Sequence, residues 1–184
     1  MCMTLSLSMG MSIGLKRTLN MMYGELIGVG IVATLSVIGV ATIMLQYPFM
    51  FTLLKYAGGA YLIYLGIQMW RSKGKMSLNT QTENFNISNK SLALQGFITA
   101  IANPKGWAFF IALLPPFIDK NISLFPQLSI LIFIILALEF ICLLIYASGG
   151  NTLRRLLQDS SNVRLINKIA GTMMMAIGVW LALT

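Results

Sequence analysis

The segment from Gly96 to Ile118, GFITAIANPKGWAFFIALLPPFI, decides how this chain folds. Its length suits a membrane crossing, because a transmembrane helix needs about 20 mostly apolar residues. Asn103, Pro104 and Lys105 stand in its middle. A proline removes one backbone hydrogen bond and clashes with the preceding helical turn, and a lysine is costly in lipid. We therefore predict that the helix breaks at this trio and that something binds or passes there.

The composition points to an integral membrane protein. Of the 184 residues, 57% are hydrophobic and only 10% are charged, whereas a soluble domain carries about 25% charged residues. The apolar runs are continuous rather than alternating, which excludes a membrane β-barrel. The predicted fold class is therefore an all-α integral membrane protein.

The sequence offers no sign of a metal site, a cofactor or an enzyme. Cys2 and Cys142 lie in apolar runs without metal-ligand spacing, and histidine is absent. No nucleophile elbow, P-loop, zinc motif or dinucleotide fingerprint occurs. We expect buried structural cysteines, no cofactor and no catalytic residues.

Apolar runs predict six transmembrane helices in two halves. Residues 1–15 are interpreted as the inner part of a first span whose beginning is missing, and residues 72–94 as a polar loop. The halves are then 1–71 and 95–184, with three spans each. Three spans per half place the halves in opposite orientations, which permits a 3+3 inverted repeat in which one half moves against the other. The other five spans are predicted at 26–45, 48–70, 96–118, 124–147 and 169–184.

The basic residues indicate orientation. Ten of the thirteen lysines and arginines fall between spans one and two, three and four, or five and six. By the positive-inside rule, loops 72–94 and 149–168 are cytoplasmic and both termini face outward. The net charge of +8 is therefore a topology signal and not a nucleic-acid surface.

Four ionisable residues fall within predicted spans: Glu25, Lys55, Lys105 and Glu139. Each is costly in lipid unless it is paired or hydrated. Snorkelling or structural pairing explains Lys55 and Glu25 as well as function does, whereas Lys105 and Glu139 lie deeper. A half-helix that starts at Pro104 would offer free N–H groups to a carboxylate, reinforced by Lys105. Glu139 would attract an ammonium group, so the set suits a zwitterion such as an amino acid.

Small residues at helical spacing indicate close helix packing. Gly10 and Gly14 form one G-x-x-x-G motif, and Gly24 and Gly28 form another. Such motifs let membrane helices approach closely. Trp107, like other aromatic residues of the spans, is interpreted as part of an interfacial belt or as packing.

Several stretches resemble the LysE/RhtB family of amino-acid exporters. Residues 53–66, LLKYAGGAYLIYLG, are similar to the family's third span, and Asn103-Pro104-Lys105 to its fourth-span motif. Residues 137–139, ALE, together with LRRLL at 153–157, resemble its fifth span and basic exit. The resemblance implies a six-span inner-membrane carrier of prokaryotes that exports amino acids or related metabolites, driven by the proton gradient. Lys105 matches the family lysine, and Glu139 matches a position that usually carries an acid.

The chain departs from the family pattern at two points. The family usually has Pro-Gly-Pro just before the position of Met3, so we expect the counterpart of Asn103-Pro104-Lys105 to be missing. The acid that the family often places in the second span aligns with Val29, and Glu25 lies one helical turn earlier. Glu25 is therefore a candidate to replace that acid.

The leading hypothesis is an inner-membrane efflux carrier for an amino acid or similar small metabolite. Asn103, Pro104 and Lys105 would bind the carboxylate, while Glu139, with Glu25, would bind the ammonium group or the coupling proton. Lys55 is a further pairing candidate. The alternatives are an exporter of a cation or another solute, or a truncated, non-transporting membrane protein. The expected partners are the substrate, the lipid bilayer and, in a homo-oligomer, further copies of the chain.

Overall fold

A computed structural model describes residues 2–72, 88–114, 117–119, 121–149 and 159–183. These residues form helices and no strand, which confirms the all-α class. The helices are α1 (Cys2–Ile13), α2 (Leu15–Gln46), α3 (Pro48–Arg71), α4 (Asn89–Ile101), α5 (Pro104–Leu113), α6 (Leu124–Ser148) and α7 (Ser160–Leu183).

Four of these helices, α2, α3, α6 and α7, are long and apolar enough to cross a membrane. Their outward faces carry large apolar side chains, such as Phe133 and Ile134 on α6, that are exposed in the isolated chain. Such contiguous apolar surface requires lipid or protein around it. The helices α1, α4 and α5 are shorter, with 12, 13 and 10 residues.

Proline and glycine set the breaks between helices. Pro48 is the first residue of α3 and Pro104 the first residue of α5, a position where the missing N–H of proline costs nothing. The predicted break at Asn103 is thus confirmed. Gly14 separates α1 from α2 with φ 77°, a value that glycine adopts without strain. A Cβ built on Gly14 would have no atom within 4 Å, so the predicted packing role is wrong for Gly14.

Two helices begin inside predicted loops, of which residues 73–87 and 150–158 lie outside the described part of the chain. α4 begins at Asn89, inside the predicted 72–94 loop, because the Ser88 hydroxyl caps the helix and accepts a hydrogen bond from Ser91 N at 3.2 Å. α7 begins at Ser160 rather than at 169, where Asp159 Oδ1 accepts from Ser161 N at 2.8 Å. Both helix starts were missed because the first residues of these helices are polar, whereas the spans were predicted from runs of apolar residues.

The earlier start of α7 changes the environment of its basic residues. Arg164 and Lys168 lie within the helix and not in the predicted 149–168 loop. Lys168 Nζ sits 5.1 Å from the centre of the Trp70 ring on α3. The lysine therefore interacts with an aromatic face at the end of a neighbouring helix.

Helices from the two sequence halves pack against each other. α2 packs most extensively on α4, α3 on α7, and α1 on α6. Gly24 and Gly96 admit the α2–α4 contact, since a Cβ on either would collide with backbone of the partner helix, at Ala93 and Met21 respectively. Gly10 meets the Ala147 backbone of α6 in the same way. The predicted packing role of Gly10 and Gly24 is confirmed.

Gly66→Leu is expected to destabilise the bundle. A Cβ on Gly66 would lie 2.6 Å from the Gly171 carbonyl oxygen of α7, and backbone cannot move aside as a flexible side chain can. Overpacking of this kind costs about 1–3 kcal/mol, so thermal unfolding in detergent should begin at a lower temperature. Gly39→Leu is the matched control, because no atom lies within 4 Å of a Cβ on Gly39. Equal melting temperatures for the two variants would contradict the tight α3–α7 contact.

Candidate functional site

The break between α4 and α5 leaves backbone groups free at a helix start. Asn103 is the N-cap of α5, and its side chain makes no capping hydrogen bond. Its carbonyl oxygen instead accepts from Gly106 N at 3.0 Å and from Trp107 N at 3.4 Å. Pro104 has no N–H, so the Lys105 N–H is the group of the first turn that the Asn103 carbonyl does not use. A free N–H at a helix start is available to a ligand, and the helix dipole favours an anionic one.

Trp107 clamps this break. Its indole Nε1 donates to the carbonyl oxygen of Ile101, the last residue of α4, at 2.8 Å. That carbonyl lies where the helix ends before Pro104, so no following helical turn supplies it with a backbone donor. The indole therefore ties α5 back to α4. Trp107 thus has a specific structural role beyond the belt or packing predicted for it.

Trp107→Phe is expected to weaken the connection between α4 and α5 while keeping an aromatic side chain at this position. The substitution removes one N–H donor and leaves a carbonyl without its partner, which costs about 1–3 kcal/mol when the group is buried. Hydrogen exchange measured by mass spectrometry should rise at the end of α4 and the start of α5. Trp180→Phe, on the exposed side of α7, provides the comparison. Unchanged exchange at Ile101–Gly106 in Trp107→Phe would show that the clamp is dispensable.

Glu25 lies completely buried on α2. Its backbone N faces Gly96 of α4, where a Cβ would approach within 2.9 Å, so α4 closes one side of the residue. Neither carboxylate oxygen makes a hydrogen bond within the described residues. A buried carboxylate without a partner is costly, and such a group marks a functional position in a membrane protein.

Glu139 of α6 and Cys2 of α1 lie next to the Glu25 carboxylate. Each of them interacts electrostatically with Glu25. Two carboxylates that lie close together away from water repel each other, unless a proton or a cation is bound between them. The site therefore has the chemistry to take up one positive charge.

The structure brings together only part of the predicted site. Glu25 and Glu139 meet, although they lie on α2 and α6. Lys105 and Pro104 are exposed, Asn103 is partly buried, and Lys105 is not among the groups that act on either carboxylate. The shared binding role of Lys105 and Glu139 stays a prediction.

Lys55 lies apart from the carboxylates. It is partly buried on α3, with Nζ 5.5 Å from the centre of the Tyr56 ring. A cation held over an aromatic face is stabilised without a carboxylate partner. This placement fits the structural interpretation of Lys55, and its tentative coupling role stays a prediction.

Two polar residues of the buried region were not predicted as site residues from the sequence. Cys2 was interpreted as a small buried side chain, but it lies beside Glu25. Ser36 on α2 has a buried hydroxyl oxygen that makes no hydrogen bond within the described part of the chain. Ser36 could have been found from its place on the buried face of α2, whereas the position of Cys2 depends on how α1 packs.

Long apolar helices, a helix break at a proline, and a buried carboxylate beside a partly buried one are features of a membrane transport protein. Comparison with known sequences agrees. The chain belongs to the LysE type translocator family, whose sequence model matches residues 2–184. Members of this family are transporters and not enzymes.

Individual relatives are similar over most of the chain. An uncharacterized membrane protein of Vibrio cholerae is 31% identical over 96% of this chain and 85% of the relative. The homoserine/homoserine lactone efflux protein of Salmonella typhi is 31% identical over 84% of this chain and 74% of the relative. The membrane protein YrhP of Bacillus subtilis is 28% identical over 83% and 76%. No solved structure matches.

Proposed function

We propose that this chain is an inner-membrane efflux carrier for an amino acid, such as homoserine, or a similar small metabolite. The observation that carries the proposal is the buried carboxylate of Glu25, which makes no hydrogen bond within the described residues and lies beside Glu139, in a chain of the translocator family. A relative that covers most of the chain is a homoserine/homoserine lactone efflux protein. An α-ammonium group is the part of such substrates that a carboxylate pair binds.

The carboxylate pair also supports coupling to the proton gradient. A proton and a substrate ammonium group each supply one positive charge, and the repulsion between Glu25 and Glu139 favours the binding of one of them. A proton that enters from outside would release the ammonium group, and the next substrate would release the proton inside. The carrier would then exchange protons for substrate.

The start of α5 supports a second subsite, for the substrate carboxylate. Asn103 makes no side-chain cap, and its carbonyl oxygen does not use the N–H of Lys105 in the first turn of α5. The Lys105 side chain adds a positive charge at the same turn. An anion at a helix N-terminus is bound by N–H groups and by the dipole together. Asn103, Pro104 and Lys105 would therefore orient a zwitterion whose ammonium group is at Glu25 and Glu139.

The packing supports six spans in a 3+3 inverted repeat. α4 and α5 would form one span around the break, and α1 would be part of another. In such a repeat, α1 corresponds to α4 with α5, α2 corresponds to α6, and α3 corresponds to α7. A contact of α2 with α4 and α5 therefore predicts a contact of α6 with α1, and the α3–α7 contact corresponds to itself. These contacts occur, whereas the contact of α3 with α5 has no α1–α7 counterpart of similar extent. The excess of basic residues in the predicted inner loops supports cytoplasmic placement of residues 73–87, and homo-oligomer formation stays a prediction.

Export from cells tests the proposal. Cells that overexpress the chain should release preloaded homoserine or another amino acid faster than cells that express a Glu25→Gln, Glu139→Gln double variant at the same membrane level. A panel of amino acids, their esters and monovalent cations identifies the substrate class. Equal release of every compound from both strains would refute the carrier function. A reporter fused within residues 73–87 tests orientation separately, and a periplasmic signal would overturn it.

A further inference from the structure

The α3–α7 pair is held together by backbone contacts between glycines. A Cβ on Gly59 would lie 2.8 Å from the Gly178 carbonyl oxygen, and a Cβ on Gly66 would lie 2.6 Å from that of Gly171. The reverse contacts, from α7 onto α3, are 2.7 and 2.6 Å. All four follow one antiparallel register over two turns of helix. Backbones in such close contact cannot slide past each other without losing the fit.

Polar contacts fix this register at one end. Trp70 Nε1 donates to Thr172 Oγ1 at 2.9 Å, and Asn167 Nδ2 donates to Ser72 Oγ at 3.1 Å. Lys168 of α7 adds its contact with the Trp70 ring. These directional contacts hold only at one relative position of the two helices.

The α2–α6 interface, where the carboxylates meet, is formed by side chains and not by contacts between backbones: Met21 and Met22 of α2 pack with Leu143 of α6 in one buried cluster. The nearest atoms to a Cβ on Gly30 are Leu136 methyl carbons at 3.7 and 3.8 Å, an ordinary contact distance. The Tyr23 and Phe140 rings stack with their centres 6.4 Å apart. An open apolar groove of about 420 Å³ runs along α2 and is bordered on the α6 side by Leu136. Side-chain contacts of this kind can rearrange at smaller cost than contacts between backbones.

We propose that α3 and α7 stay locked together throughout transport, while α1 with α6 moves against α2 with α4. Glu25 and Glu139 lie on opposite sides of the moving interface, so the motion changes their separation and thereby their hold on a bound cation. Gly14, which joins α1 to α2 with positive φ and open space around it, supplies the pivot. The inference rests on the proposed carrier function.

This motion differs from the movement of one sequence half against the other that the repeat suggested. Movement of 1–71 against 95–184 would separate α3 from α7, α2 from α4 and α1 from α6 at the same time. Each of these contacts includes a glycine that meets partner backbone. The cross-half pairs, and not the halves, are therefore the units that the packing preserves.

Two double-cysteine variants separate these motions. Ser72→Cys with Asn167→Cys joins α3 to α7, and Tyr23→Cys with Phe140→Cys joins α2 to α6. Export by each variant is compared before oxidation, after oxidation and after reduction, with the single-cysteine variants as controls for bonds to Cys2 or Cys142. The oxidised 72–167 variant should export at its reduced rate, whereas the oxidised 23–140 variant should lose at least nine-tenths of its rate and recover on reduction. Loss of export in the oxidised 72–167 variant, or full export in the oxidised 23–140 variant, would overturn the inference.

A second readout needs no substrate and therefore separates this inference from the proposed function. Bifunctional thiol reagents with short and long spacers are applied to both variants in lipid nanodiscs. The 72–167 pair should react only with the short reagent, because its separation is fixed. The 23–140 pair should react with both. A 72–167 pair that takes the long spacer, or a 23–140 pair restricted to the short one, would refute the locked and moving interfaces even if no substrate is ever found.

Discussion

Replacing Glu25 or Glu139 by glutamine is expected to reduce export about tenfold to a hundredfold while leaving the protein folded. A hydrogen bond to a charged partner is worth about 1.5–3 kcal/mol, and every 1.4 kcal/mol is a factor of ten. Glutamine keeps the shape of the side chain but cannot hold an ammonium group or a proton by charge. Initial rates of release from preloaded cells, normalised to the amount of carrier in the membrane, measure the loss.

Stability should change in the opposite direction. The Glu25 oxygens are buried and make no hydrogen bond within the described residues, so removing a charge there relieves an unfavourable burial. Thermal unfolding of Glu25→Gln in detergent is expected at the same or a higher temperature than for the unmodified chain. A variant that loses export because it fails to fold would melt lower, which distinguishes damage from loss of function.

The double variant shows whether the two carboxylates act together. If Glu25 and Glu139 bind one cation between them, removing the second costs little after the first, and the effects are not additive. Asp159→Asn is the matched control, since Asp159 is exposed at the start of α7. This variant should export at the rate of the unmodified chain. Fully multiplicative losses in the double variant would argue for two independent roles.

The sequence predicted those features that depend on local chemistry. The helix breaks at Pro104 because a proline inside a helix removes one backbone hydrogen bond and clashes with the preceding turn. The 124–147 span agreed with α6 to within one residue because a continuous apolar run needs no partner to be recognised. The start of α7 was missed by the same logic, since Arg164 and Lys168 interrupt the apolar run although the backbone remains helical.

Features that depend on packing between distant segments could not be predicted. Glu25 and Glu139 are far apart in the chain, and their meeting depends on how α2 crosses α6. The same holds for Cys2, whose place beside Glu25 follows from the contact of Gly10 with Ala147. The predicted spans did not show that each helix packs mainly on the opposite half, and the movement of the halves as bodies stays a prediction. A span count predicts how the two halves are oriented relative to each other but carries no information on which helices are neighbours.

Lys105→Met is expected to separate substrates by their carboxyl group. Export of homoserine, which carries a free carboxylate, should fall about tenfold, because one charge-assisted contact is worth about 1.5 kcal/mol or more. Homoserine lactone has no carboxylate but keeps the amine, so its export should change less than twofold if the Glu25–Glu139 pair holds the amine. Methionine preserves the length of the apolar stem, and Lys105 is exposed, so folding should be unaffected.

The matched control for this experiment is Lys90→Met. Lys90 is also an exposed lysine near the start of a helix, in the first turn of α4, but it lies far along the chain from the break at Asn103. Both substrates should leave Lys90→Met cells at unchanged rates. If Lys105→Met slowed the lactone and the amino acid equally, Lys105 would serve the transport movement and not the carboxylate. If neither rate changed, the start of α5 would not be a binding subsite, and the carboxylate pair would have to select substrates by their amine alone.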